Sequence, residues 1–236
     1  GGCDPVAALA AAVESVRALR PAPDAVLVTG DLTEHSDDAE YDQTRELLAS
    51  LDAPLFVLPG NHDDPAALRR HFVVPGADSG PVQYAADLGG LRLVVVDSTR
   101  PGENPGALDA KRLSWLDAEL AAEPGTPTVL AMHHAPLFTG IPPLDEIGLP
   151  TEDQRALGIV MERHPQVRRI VAGHMHRTIA GELGGRAVLV APSTYMQARL
   201  DLRSEELQTV PEPIGFAVHV LRDGELISHV QTVERP

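Results

Sequence analysis

Four short segments carry donors of the kind that hold metal ions, and each follows a run of apolar residues. Gly30-Asp31 follows Ala25–Thr29, and Gly60-Asn61-His62-Asp63 follows Pro54–Leu58. His133-His134 follows Thr128–Met132, and Gly173-His174-Met175-His176 follows Val167–Ala172. Continuous apolar runs of this length, closed by turn residues, read as strands buried on both faces. In an open α/β sheet, ligands bind in the crevice beyond the carboxyl ends of the strands, where the loops converge. Asp31, Asn61, His133, His174 and His176 are therefore candidates for one shared site. The mixture of carboxylate, amide oxygen and imidazole suits Fe, Mn, Co, Ni or Zn better than Ca or Mg alone. A carboxylate such as Asp31 can bridge two ions. Two ions about 3.5–4 Å apart form a clamp for in-line phosphoryl displacement and lower the pKa of bound water to about 7.

Each residue also has a plainer reading. A lone strand-end histidine more often packs or faces water, Asp31 alone would cap a turn, and Asn61 alone would sit in an Asx-turn. Recurrence at four strand ends tips the balance toward a site. His134 stays open between a neighbour of the site and a substrate residue. His35, His71, His164, His219 and His229 lack such context and are expected at the surface or in packing. Cys3 is expected to be an unpaired thiol without a role.

The intervening sequence supplies elements that would hold these loops. Helices are predicted over Pro5 to Leu19 (Asp4 as N-cap), Asp42 to Leu51, Pro65 to Phe72, Asp109 to Ala122 and Glu152 to His164. Leu113, Leu116 and Leu120 share one face and are expected in the core. Three hairpins are predicted through Gly89-Gly90, Gly184-Gly185 and Asp223-Gly224. Thr139–Pro150 is Pro- and Gly-rich and reads as a loop, and Ser193–Pro213 as irregular; both are expected to line the pocket. The first part alternates helix with buried strand and the second half is mostly hairpins, so the fold class is α/β, a sandwich of two sheets with helices outside.

The chain of 236 residues reads as one domain, 1–236, with no linker or repeat. Aromatics are only 3% against 43% hydrophobic residues, so the core must be Val, Leu, Ile and Ala, which suits layered α/β packing. A net charge of −15 excludes long nucleic acid as a partner, because binding it needs cations, and argues against an anionic membrane surface. A small phosphate ester remains compatible, since bound ions reverse the local field. One cysteine excludes an internal disulfide and fits a reducing cytoplasm. No apolar run is long enough to span a bilayer.

Taken in order, Gly30-Asp31-Leu32-Thr33-Glu34, Gly60-Asn61-His62-Asp63, Met132-His133-His134 and Gly173-His174-Met175-His176 resemble the motifs of the calcineurin-like metallophosphoesterases. The nearest branch is the bacterial class III cyclic nucleotide phosphodiesterases and glycerophosphodiesterases. The resemblance extends to Asp97-Ser98 and the helix containing Trp115, and so covers nearly the whole chain. It implies a four-layer α/β/β/α sandwich of two mixed sheets and hydrolysis of small phosphodiesters with two transition-metal ions (Fe, Mn, Zn or Co). Asp31 would bridge the ions, Asn61, His133 and His174 would complete the second, and His176 would bind the first. His62 would face the scissile phosphate, and Asp63 would orient His62. A homodimer is a family habit.

The chain departs from the family in one respect. The family opens on a strand ending in Asp-x-His, which binds the first metal, and no Asp-x-His occurs here. Gly1-Gly2-Cys3-Asp4 aligns just after that motif, so the sandwich is expected to lack its first strand, leaving the first metal only Asp31 and His176. Glu34 stands where the family often has Asp. The competing expectations are a degenerate, non-catalytic metal-binding scaffold and a phosphomonoesterase on the same site.

Overall fold

The computed structural model describes residues 4–235, so Gly1, Gly2 and Cys3 lie outside the described residues. The elements run α1 (Pro5–Arg17), β1 (Val26–Val28), α2 (Asp38–Leu48), β2 (Leu55–Val57), α3 (Pro65–His71), β3 (Tyr84–Asp87), β4 (Arg92–Val95) and α4 (Ala110–Ala122). There follow β5 (Thr128–Ala131), α5 (Pro142–Ile147), α6 (Thr151–Arg163), β6 (Val167–Ala172), β7 (Ile179–Leu183) and β8 (Arg186–Val190). The last elements are β9 (Gln197–Ala198), β10 (Thr209–Val210), β11 (Ile214–Arg222) and β12 (Glu225–Val233). No described helix is long and apolar enough to cross a membrane.

The main sheet has the order β3-β4-β5-β6-β8-β7. Its central pairs β4–β5, β5–β6 and β6–β8 are parallel, and antiparallel hairpins close both ends. Strand alternation divides its side chains between two cores. Val94, Leu130, Met132, Ile170 and Val188 meet Leu116 and Leu120 of α4 and Leu157 and Met161 of α6. Leu93, Val95, Val129, Ala131 and Val171 meet Val57 of β2 together with Val13, Tyr41, Leu48 and Leu68 of α1, α2 and α3. These are the four layers expected from the sequence, and the apolar runs are continuous because β4, β5 and β6 are covered on both faces.

The second sheet is in two pieces. β1 pairs with β2 in parallel and β11 with β12 antiparallel, with no ladder between the pairs among the described residues. β1 is only half-buried along its length. The β11–β12 hairpin lies on the same face of the main sheet, where Leu226 joins the second core and Arg169 of β6 donates to the Leu226 carbonyl at 3.0 Å.

Two boundaries need correction. Thr139–Pro150 is not all loop. Pro142 and Pro143 occupy the first helical turn of α5, where a missing N–H costs nothing, and the Asp145 carboxylate gathers the Thr139 and Gly140 amides at 2.7 and 3.1 Å. Helix α2 begins at Asp38 rather than Asp42, with Asp38 and Glu40 in its first turn complementing the helix dipole. The irregular segment 193–213 contains the two-residue pair β9–β10.

Leu130 is fully buried in the middle of β5. Leu130→Ala should cost about 3 kcal/mol of stability, read as a lower urea midpoint with unchanged slope. An unchanged midpoint would mean that this face is not packed as described.

Candidate functional site

Asp31, Asn61, His133 and His174 all sit at carboxyl ends of strands and converge on one point. The His133 Nδ1–H donates to the Thr29 carbonyl at 2.7 Å, which leaves Nε2 as a lone pair. That Nε2 lies 3.1 Å from Asn61 Oδ1, 3.1 Å from His174 Nδ1 and 3.3 Å from Asp31 Oδ2. The His174 Nε2–H donates to the Ile147 carbonyl at 3.0 Å, so its Nδ1 is also a lone pair. Four electron-pair donors thus face one another with no proton assigned between them. This donor set fits a cation, and its imidazole-rich composition fits a transition ion.

The electrostatics agree. Burial pushes Asp31 up, but the His133 ring and the His62 amide hold it well below the ordinary carboxylate range. Burial pushes His133 down, yet the Asp31 carboxylate lifts it above its ordinary value. Burial and then His133 push His174 down to about 3. The Asp31 carboxylate thus favours positive charge at His133, as it would favour a bound cation.

The local backbone is bent to make this convergence. Asp31, His174 and His176 have φ of 54°, 65° and 45°, left-handed values that non-glycine residues rarely adopt. Gly30 and Gly60 allow the loops after β1 and β2 to touch. A Cβ on Gly30 would lie 2.5 Å from His133 Nδ1, and one on Gly60 would collide with the Asp31 carboxylate.

His176 lies in the same electrostatic neighbourhood. Burial lowers it, Asp31 raises it, and His133 and His62 lower it further. The His62 amide donates to Asp31 Oδ1 at 3.2 Å, while its ring is 39% exposed, with Nδ1 3.1 Å from the Glu34 carbonyl. His62 thus faces solvent at the mouth of the site.

Asp63 needs correction. Its carboxylate does not bind the His62 ring. Oδ2 accepts from the Gly60 and Leu32 amides at 2.9 and 3.1 Å, and Oδ1 from Thr33 Oγ1 and the Tyr41 hydroxyl at 3.2 and 3.1 Å. Burial pushes Asp63 up and those two amides pull it back. It staples the loops rather than steering the imidazole, because its side chain turns inward under Gly60.

His134 lies within 4.8 Å of His133 and His174 by its ring nitrogen. Both of its nitrogens are occupied, however: Nδ1 is 2.9 Å from Ser98 Oγ and Nε2 2.9 Å from the Asn104 carbonyl, and the residue is fully buried. We read it as a support for the cluster rather than a ligand. The sequence reading missed Asn104, whose Oδ1 lies 3.4 Å from Asn61 Nδ2, and Thr29, Thr33 and Tyr41. Thr33 stands within the Gly30–Glu34 motif and Ser98 follows a strand, whereas Asn104 and Tyr41 carry no such signal.

The Asp31 carboxylate raises the proton affinity of His133, so a proton competes with a cation for its Nε2 and cation affinity should be lost as pH falls. Calorimetric titration with Mn²⁺ in buffers of different ionisation enthalpy should show proton release and tighter binding from mildly acid to mildly alkaline pH. Binding that is independent of pH would refute this arrangement.

Residues 3–178 match the family model described as calcineurin-like phosphoesterase. A cAMP/cGMP dual specificity phosphodiesterase of Mycobacterium tuberculosis is 38% identical over 178 residues, 73% of this chain and 54% of that protein. A glycerophosphodiester phosphodiesterase of Enterobacter lignolyticus is 34% identical over 189 residues, 78% of this chain and 67% of that one. Among solved structures, a dimetal phosphatase from Danio rerio superposes with a TM-score of 0.70 at 16% identity, covering 98% of this chain and 89% of the other, which shows a shared fold. With its four strand-end motifs in order on that fold, the chain belongs to the calcineurin-like phosphoesterase family.

Proposed function

We propose that this chain hydrolyses small phosphodiesters, using two transition-metal ions held by Asp31, Asn61, His133, His174 and His176. The observation that carries the reading is the convergence of Asn61 Oδ1, His174 Nδ1 and the Asp31 carboxylate on His133 Nε2. Relatives named for cyclic nucleotide and for glycerophosphodiester hydrolysis support a diester over a monoester.

When bound, the ions supply Lewis acidity toward phosphoryl oxygens and an acidified water. The chain's own groups do the rest. Asp31 provides a carboxylate already stripped of its proton and fixed by the His62 amide. Asn61 offers its oxygen toward His133 because its amide nitrogen faces Asn104. The Glu34 carbonyl takes the Nδ1–H of His62, directing Nε2 to exchange a proton with the leaving oxygen. In this reading the chain acts as one catalytic domain, with both cores built on the same sheet.

The test is hydrolysis of bis(p-nitrophenyl) phosphate by Mn²⁺-loaded protein. Chelator should abolish turnover. Asn61→Ala should lower kcat about 100-fold, and His62→Ala by about 100-fold or more, with circular dichroism and Tm unchanged. Turnover that survives chelation or the Asn61 substitution would overturn the assignment.

A further inference from the structure

Tyr41 is fully buried in helix α2, yet its hydroxyl is aimed at the site. It donates to Asp63 Oδ1 at 3.1 Å. Asp63 in turn holds the Leu32 amide, next to Asp31, and the Gly60 amide, next to Asn61. A single carboxylate therefore ties the two loops that carry the oxygen donors of the site, and Tyr41 and Thr33 fix its other oxygen. A buried carboxylate left short of donors would turn or take up a proton, and the loops would lose their common anchor.

The Tyr41 ring is itself clasped. His71 of α3 stacks on it with centroids 5.2 Å apart and planes 14° from parallel. The His71 ring nitrogens lie 2.8 Å from Asp38 and 3.2 Å from Asp42, both on α2 and flanking Tyr41. Arg70 also reaches Asp38, at 3.0 Å. Helix α3 starts two residues after Asp63 and packs on α2, joined to it through the Tyr41–His71 stack.

We propose that Tyr41 is a positioning residue for the reaction: through the Asp63 carboxylate it sets the separation of the Asp31 and Asn61 loops, and His71 holds it in that pose. The inference rests on the phosphodiesterase reading for its catalytic consequence, but the anchoring itself is a property of the metal-free chain.

Tyr41→Phe removes one oxygen and keeps the ring and its stack. In the metal-free chain, hydrogen exchange at the Leu32 and Gly60 amides should speed up about tenfold, with the α2 amides unchanged. Mn²⁺ affinity should fall about tenfold, the low end expected when a partner of a ligand shell is removed. At saturating Mn²⁺, kcat on bis(p-nitrophenyl) phosphate should fall while KM holds. His71→Leu should shift the same readouts in the same direction. Leu48→Ala, buried at the far end of the same helix and without a hydrogen bond to Asp63, should lower the Tm but leave Mn²⁺ affinity and kcat at wild-type values. Unchanged exchange and affinity in Tyr41→Phe would overturn the proposal, as would an equal loss of affinity in Leu48→Ala. A wild-type chain that binds no metal would instead end the phosphodiesterase reading, and the exchange data would still decide the anchoring.

Discussion

The structure depends on an electrostatic conflict at the centre of the sheet edge. His133 spends its Nδ1 proton on the Thr29 carbonyl, and its Nε2 then meets an amide oxygen, another imidazole lone pair and a carboxylate oxygen. Lone pairs at this distance repel unless something positive lies among them. The conflict is held by carbonyls at both ends of the cluster, from Thr29 and from Ile147, which set the tautomers of His133 and His174. The fold thereby maintains an arrangement that its isolated groups would not adopt.

Much of the surrounding architecture serves to maintain it. β5 and β6, behind the histidine loops, are covered on both faces, and close packing there fixes the strand ends from which the loops depart. Left-handed backbone at Asp31, His174 and His176 is the local cost of turning three side chains toward one point. The Asp63 carboxylate crosses between loops with four hydrogen bonds, and His134 braces the opposite side through Ser98 and the Asn104 carbonyl. These supporting bonds are buried or half-buried, where each is stronger than in water.

His62 is the contrasting case. It adjoins the buried donors in sequence, but its ring faces solvent. A group that exchanges protons with a substrate needs that access, whereas a group that grips a cation needs dehydration. One tripeptide, Asn61-His62-Asp63, separates three duties in this way: a donor toward the cluster, a ring at the mouth and a carboxylate turned inward.

The sequence alone pointed to the α/β class and to residues whose types and places could make them donors. Short continuous apolar runs closed by turn residues read as buried strands, and polar donors directly after them lie at strand ends, here those of β1 and β2 in one sheet and β5 and β6 in the other. It could not assign Asp63, because a carboxylate beside a histidine looks the same whether it turns outward to the ring or inward to two amides. Nor could it place Tyr41, Asn104 or His71, whose partners are 22, 43 and up to 33 residues away along the chain. Helix α5 escaped because prolines read as breakers until a first turn is found to hold them. Tertiary structure decided these points because hydrogen bonds between distant segments depend on how loops are brought together, and periodicity within a segment carries no record of that.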